Sequence, residues 1–291
     1  MKNWLIIDWF ICLIFEMNVD SFVVVISRKY PIARCLKAIA NATIPRKDLY
    51  LLLYLDTKDQ WLVDYCRNWI GYHGQKWLSA EIVVTGREPI KIIRIEDYKK
   101  RWKRIIENMQ RIITHVNFSD IVFMVEDDTI IPKQAFTKLY RRIKRDKEIG
   151  CIQGVEAMRN AGDRGHCGAW KMRVNAKGKV KNKIGLAAKE KGIEEIDGGG
   201  YYCWAFRREV MEQIKLRSTW NGWCGPDLWT WYDIGANGWK TLIDWSVWCV
   251  HIGFDDNDNL KEYTPALTRN WLYDYEKGTD NSPKVNRNYE M

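Results

Sequence analysis

Three acids stand together at Glu126, Asp127 and Asp128, directly after the unbroken apolar run Ile121, Val122, Phe123, Met124 and Val125. A run with no polar alternation suits a central strand covered on both faces, and Pro132 ends it. Side chains alternate along extended backbone, so Glu126 and Asp128 can point to one side while Asp127 points to the other. Two carboxylates on one side of a strand end repel unless a cation or proton separates them, and an all-oxygen pair suits magnesium or manganese better than zinc. Open α/β sheets also bind their ligands at the carboxyl ends of strands. A solvated acidic turn is the alternative that this stretch alone leaves open.

A fourth acid, Asp227, lies in the segment CGPDLWTW, where Pro226 suits the first helical position. Asp227 is therefore expected in a helix's first turn, ionised by the macrodipole and able to accept a proton; a plain cap is the other reading. His251 ends an apolar run and, by itself, reads as a buried, hydrogen-bonded histidine. Gly198, Gly199 and Gly200 precede an expected strand and would permit close backbone approach by a ligand. His166 beside Cys167 lacks the second closely spaced pair that a zinc site needs.

The elements that must position these residues follow from the apolar pattern. A strand over 21–26 ends at Ser27, Arg28 and Lys29, and Pro31 opens a helix with Ile32, Cys35, Leu36 and Ile39 on one face. A second strand over 49–55 ends at Asp56, and a third is expected over 90–95. A basic amphipathic helix over 97–115 leads into the acidic strand; Pro132 begins another helix to about 145, and a strand over 150–157 follows. This alternation predicts an α/β fold with a mostly parallel, Rossmann-like central sheet flanked by helices. Residues 159–196, rich in Gly and Lys, read as the least structured part: a plain surface loop or a lid that orders on binding. From Gly253 the chain turns polar, and its last residues read as disordered.

Composition bounds the class. With 291 residues, 46% hydrophobic and 29% charged, the chain can bury a full core as a soluble globular protein. The expected organisation is an apolar extension over 1–18, one domain over 19–252 and a tail over 253–291. The domain divides into halves over 19–130 and 131–252, the second of which carries the insertion over 159–196. A net charge of +9 implies anionic partners without choosing among them. Eight cysteines without a CxxC pair argue for reduced thiols and a cytoplasmic location. The run WLIIDWFICLIF near the start is shorter than the roughly 20 apolar residues a bilayer span needs and holds Asp8, so the expectation is peripheral membrane contact at most. A packing helix or an upstream extension before Met17 are its other readings. Most of the 16 Trp must be core, with a stacking surface open for a few.

Taken in order, these pieces resemble the GT-A fold glycosyltransferases of the family-two type, over roughly residues 19–252. FVVVISRKYPIARCLKAI resembles the first strand and helix that hold the nucleotide, which implies donor contacts at Ser27 and Arg28. LLLYLDTKD resembles the second strand, whose terminal acid, here Asp56, reads the base. FMVEDDTIIP is similar to the signature metal motif Asp-any-Asp with Glu126 in place of the first Asp, which implies Glu126 and Asp128 on the metal and Asp127 toward the donor. DGGGYYCWAFRREV is similar to the segment under the donor sugar, which implies roles for Gly199 and Gly200. GPDLWTWYDIGANGWKTLID is similar to the segment whose second acid, here Asp227, is the catalytic base, and His251 matches a histidine that joins the metal or diphosphate. Pro226 replaces the usual Glu, and the arginine often found a turn after the base is absent. The Gln-any-any-Arg-Trp motif of processive synthases is missing too.

The resemblance implies a manganese- or magnesium-dependent, inverting, non-processive transfer of a sugar from a nucleotide diphosphate sugar to an acceptor hydroxyl. A nucleotidyltransferase of similar fold, and a non-catalytic nucleic-acid binder built on the basic faces 99–111, 141–147 and 171–191, are the alternatives. The lysines at 177, 179, 181 and 183 suggest a polyanionic acceptor, an acidic glycan or a hydroxylated nucleic acid, with a neutral glycan, a lipid-linked sugar or a protein as the other readings.

Overall fold

A computed structural model describes residues 19–28, 31–88, 90, 95–157, 167–175, 180–218, 225–254, 260–263, 271–274 and 279–280. The first half runs β1 (Asp20–Ile26), α1 (Ile32–Asn41), β2 (Leu49–Leu55), α2 (Gln60–His73), β3 (Ser79–Val84), α3 (Ile95–His115) and β4 (Ile121–Glu126). The alternation is the expected one, but the third strand occupies 79–84 rather than 90–95. Of the expected strand, residues 91–94 lie outside the described residues and Ile95 already opens α3. Among the described residues β3 pairs with β2 alone, so no residue of it is fully buried and its apolar signal is correspondingly weak.

The second half continues with β5 (Thr129–Ile130), α4 (Ala135–Arg145), β6 (Ile149–Val155), β7 (Trp170–Val174), β8 (Val180–Gly185), β9 (Ile193–Glu195) and β10 (Cys203–Arg207). After these come α5 (Arg208–Gln213), α6 (Pro226–Ala236), β11 (Lys240–Trp248), β12 (Val250–Phe254), β13 (Leu260–Tyr263), β14 (Trp271–Asp274) and β15 (Thr279–Asp280). The main sheet has eight strands in the order β3, β2, β1, β4, β10, β6, β11, β9. β1 to β4 are mutually parallel, β10 runs antiparallel between β4 and β6, and β11 is parallel to β6.

Burial on both faces explains the unbroken apolar strands. Phe22, Val24, Leu51, Leu53, Phe123 and Val125 pack with Leu36 of α1, Leu62 of α2 and Phe136 of α4 on one side. Their neighbours Val23, Tyr50, Leu52, Val122 and Met124 pack with Met109 of α3, Val210 of α5 and Trp231 of α6 on the other. A strand sandwiched in this way has no solvent face on which polar residues would be stable. Among the described residues no helix is long and apolar enough to cross a membrane.

The insertion is more ordered than its composition suggests. Within 159–196, β7 and β8 form an antiparallel hairpin, β9 adds to the main sheet beside β11, and residues 158–166 and 176–179 lie outside the described residues. The chain beyond 253 is not merely a polar tail either: β13 pairs with β12, and β14 pairs with β8 on one edge and β15 on the other. Pairing of backbone amides and carbonyls with distant strands stabilises these segments, and that contribution leaves no mark in composition. Disorder was expected over 277–291, but Thr279–Asp280 form β15 there, and residues 277–278 and 281–291 lie outside the described residues.

Candidate active site

β4 ends at Glu126, and the chain turns at Asp127 and Asp128 before the two-residue strand β5. The turn separates the three acids more than simple alternation would. Asp127 is buried and faces the tip of β1: its Oδ2 accepts hydrogen bonds from the backbone N–H of Ser27 (2.6 Å) and Arg28 (2.5 Å). The Arg28 guanidinium closes on both neighbouring acids, with Nε 2.8 Å and Nη2 2.7 Å from Asp127 Oδ1 and Nη1 2.6 Å from Asp128 Oδ2. Glu126 stays partly exposed at the strand tip, and its carboxylate acts electrostatically on Arg28, Glu156 and Tyr201.

Strand pairing brings His251 here from 123 residues away. β5 and β12 pair antiparallel, with Thr129 opposite His251, and Ile252 N–H donates to the Asp128 carbonyl at 2.7 Å. His251 Nδ1 lies 2.9 Å from the Ala157 carbonyl and Nε2 lies 3.0 Å from Asp128 Oδ2. A carbonyl can only accept, so Nδ1 carries the proton there, and in the neutral ring the lone pair of Nε2 points at a carboxylate oxygen. Two electron-rich atoms so placed need a proton or a cation between them.

These atoms fit a divalent ion. A carboxylate oxygen and an imidazole nitrogen are a donor set that manganese accepts, and they stand 3.0 Å apart, the distance that a hydrogen bond from a protonated Nε2 also gives. No cluster of three or more His, Cys, Asp or Glu ready to hold a metal occurs among the described residues. For magnesium-type sites that is ordinary, since one or two carboxylates usually share the ion with substrate phosphates and water. Glu156, at the tip of β6, supports the pair: it accepts from Thr129 Oγ1 at 2.7 Å and lies 3.6 Å from His251 Nδ1. Burial pushes its carboxyl well above the usual range, against the opposing hydrogen bond from Thr129. The sequence reading passed over Glu156, although an acid closing an apolar strand is the same signal that drew attention to Glu126.

Asp227 occupies the first turn of α6, as expected, behind Pro226. Its Oδ1 accepts the Leu228 N–H at 2.9 Å. The helix terminus does not decide its charge: burial dominates and raises the carboxyl to about 6, with the Leu228 amide and the Lys183 charge pulling the other way. Lys183 is itself buried in β8, its ammonium 5.6 Å from the Trp170 ring centre, and Trp170 packs with Leu228 and Trp229 of α6. A surface grip on phosphates was expected of Lys183; a buried lysine over a tryptophan face cannot supply it. Lys177 and Lys179 lie outside the described residues. Tyr201 links the two carboxylate groups of the site: its hydroxyl meets Thr230 Oγ1 of α6 at 2.5 Å, and both Asp227 and Glu126 act on it electrostatically.

The remaining expected residues have structural partners. Asp56 takes hydrogen bonds from Thr85 Oγ1 (2.9 Å), Arg87 Nε (3.1 Å), Arg104 Nε (2.7 Å) and Asn108 Nδ2 (2.8 Å). Burial would raise this carboxyl, but those donors hold it below its ordinary value. Gly199 and Gly200 are needed for packing before any ligand is considered. A Cβ on Gly199 would lie 2.4 Å from Gln153 Oε1 and 2.6 Å from Trp231, and one on Gly200 would lie 2.5 Å from the Tyr202 ring.

The model of the family described as "Glycosyltransferase like family 2" matches residues 20–252. Among solved structures, GalNAc-T7 with UDP, GalNAc and Mn2+ aligns at a TM-score of 0.54 and 15% identity, over 81% of this chain and 44% of that one. The mannosyltransferase PcManGT of Pyrobaculum calidifontis, in complex with GDP-Man and Mn2+, aligns at 0.46 and 13% identity, over 81% of this chain and 61% of that one. S. aureus TarS 1-349 in complex with UDP-GlcNAc aligns at 0.45 and 13% identity, over 86% of this chain and 59% of that one. The chain thus spans less than two thirds of the length of each. No curated protein matches it significantly.

Proposed function

The chain belongs to the glycosyltransferase-like family 2 with a GT-A fold, and from that membership we propose that it moves a sugar from a nucleotide diphosphate sugar to an acceptor hydroxyl with inversion and one transfer per encounter. The observation that carries this reading is the convergence of Asp128 and His251 at the sheet's carboxyl end, with Asp227 joined to the same end through Tyr201. Asp227 takes the proton of the acceptor hydroxyl as its oxygen attacks the anomeric carbon. In the same step the bond from that carbon to the diphosphate oxygen breaks, and the nucleoside diphosphate leaves. One displacement inverts the anomeric centre. Asp128 and His251 would hold a manganese or magnesium ion, with Glu126 acting through water; when bound, such an ion stabilises charge on the departing diphosphate. Ser27 and Arg28 border the donor site, and Arg28 adds a fixed positive charge beside the carboxylates.

The first test is Asp128→Asn, which keeps the shape of the side chain but gives up its charge. Calorimetry of uridine or guanosine diphosphate with and without manganese should show the metal-dependent part of binding lost. Unchanged metal-dependent affinity would remove Asp128 from the metal site. Product analysis separates the runner-up: a nucleotidyltransferase releases pyrophosphate, the proposed enzyme a nucleoside diphosphate. For the acceptor, Lys171 and Lys181 on the hairpin beside α6 support a polyanion, an acidic glycan or hydroxylated nucleic acid. Replacing both with Ser should raise the acceptor KM and flatten its salt dependence, with donor hydrolysis unaltered. A KM indifferent to both changes excludes that acceptor class.

A further inference from the structure

Away from the strand ends that carry the site, a groove of about 580 Å³ runs along α4. Lys138, Arg141, Arg142 and Arg145 line it at i, i+3, i+4 and i+7, so four cations share one helical face. Two are fixed from the far wall: Arg142 Nε pairs with Asp244 Oδ2 at 2.6 Å, and Lys138 Nζ donates to the Ser246 carbonyl at 3.0 Å. Arg141 and Arg145 have no hydrogen-bond or ion-pair partner among the described residues. Arg142 is neutralised by Asp244, so the uncompensated like charges are Lys138, Arg141 and Arg145; at three and four residues apart they destabilise the helix, and Asp146 is the lone carboxylate lining the groove among the described residues. The floor is apolar, made by Ile149, Leu242 and Ile193, the last 43% exposed.

A second observation lies at the adjoining edge of the same helix. Asp20, the first residue of β1, has its Oδ2 2.5 Å from Tyr140 Oη and 2.9 Å from Lys144 Nζ, both on α4. The sequence immediately upstream of that anchored strand holds the apolar run WLIIDWFICLIF. The cationic face and the point where apolar sequence joins the fold are therefore neighbours. We propose that this face of α4 docks on an anionic membrane surface, its arginines meeting lipid phosphates. A cluster of basic residues on an amphipathic helix is the pattern that recognises anionic lipid headgroups. A nucleic acid fits the groove less well: no aromatic side chain lines it, so there is nothing for bases to stack on.

The test is co-sedimentation of the full chain with phosphatidylcholine vesicles with and without phosphatidylserine. Binding should require phosphatidylserine, weaken with salt, and fall about tenfold or more in an Arg141→Ser, Arg145→Ser double variant, since each basic residue near an anionic surface adds measurably to attachment. A Lys99→Ser, Lys100→Ser variant removes equal charge from the exposed face of α3 and should bind like wild type. Both changes are on exposed side chains, and unchanged thermal melting confirms that folding is intact. The proposal is overturned if the full chain ignores phosphatidylserine, or if the two variants lose binding equally. It also falls if the α4 variant loses affinity for an RNA oligonucleotide while its vesicle binding is unchanged.

Discussion

Asp227, the proposed base, sits where burial favours its neutral form. Burial lifts its carboxyl to about 6, so the base form needed to take a proton is lost as pH falls through that value. The acid limb of kcat/KM is therefore expected near pH 6, dropping about tenfold per unit below it. A profile flat from pH 5 to 8 would exclude Asp227 as the base. Stability runs the other way. The folded value lies above the unfolded one of 3.8, so this group's favourable contribution is full below about pH 4 and lost as pH rises through about 6. Asp227→Asn cannot ionise. It should lower transfer about a hundredfold or more, keep donor binding, and melt higher than wild type at pH 8, by on the order of 1–2 kcal/mol. A simple helix cap would show the reverse, with transfer unaffected and stability reduced.

Elements, rather than single side chains, fix where these groups stand. The glycine turn before β10 packs against Gln153 of β6 and Trp231 of α6, and Gly200 N–H donates to Gln153 Oε1 at 2.9 Å. Gly199→Ala forces a methyl group into that contact and should destabilise the fold by about 1–3 kcal/mol in urea titration, the usual size of an overpacked core. Should the variant be as stable as wild type and fail only in donor binding, the glycine serves the ligand and not the packing. The β5 and β12 pair is the other decisive element. It is two residues long on one side, yet it carries His251 to Asp128.

At the scale of the whole molecule, the chain's last strands lean on its middle. β14 pairs with β8, and β8 belongs to the hairpin that packs on α6 through Trp170 and Met172. Ending the chain after residue 263 would leave β8 as an unpaired edge. Amide hydrogen exchange should then speed up across 180–185 while β4 keeps its protection, since β4 lies inside the main sheet between β1 and β10. Equal loss of protection in both would mean that the small sheet and the main sheet unfold as one unit.

The sequence alone determined the sheet's central strands, because burial on both faces demands the unbroken apolar runs seen at β1, β2 and β4. It also located the acids: a charge ending an apolar run is legible at Asp56, at Glu126 to Asp128 and, through Pro226, at Asp227. Contacts between distant segments were not legible. That Arg28 would clamp Asp127 and Asp128, that Asp56 would be filled by Arg87 and Arg104, and that Lys183 would turn inward over Trp170 all depend on pairs 99, 31, 48 and 13 residues apart being brought together. The strands of the Lys-rich segment and of the tail were hidden for the same reason. Their order comes from ladders with each other, and a ladder is a property of two segments that neither encodes by itself. The charge state of Asp227 likewise followed from tertiary burial, which outweighed the local helix terminus on which the sequence reading relied.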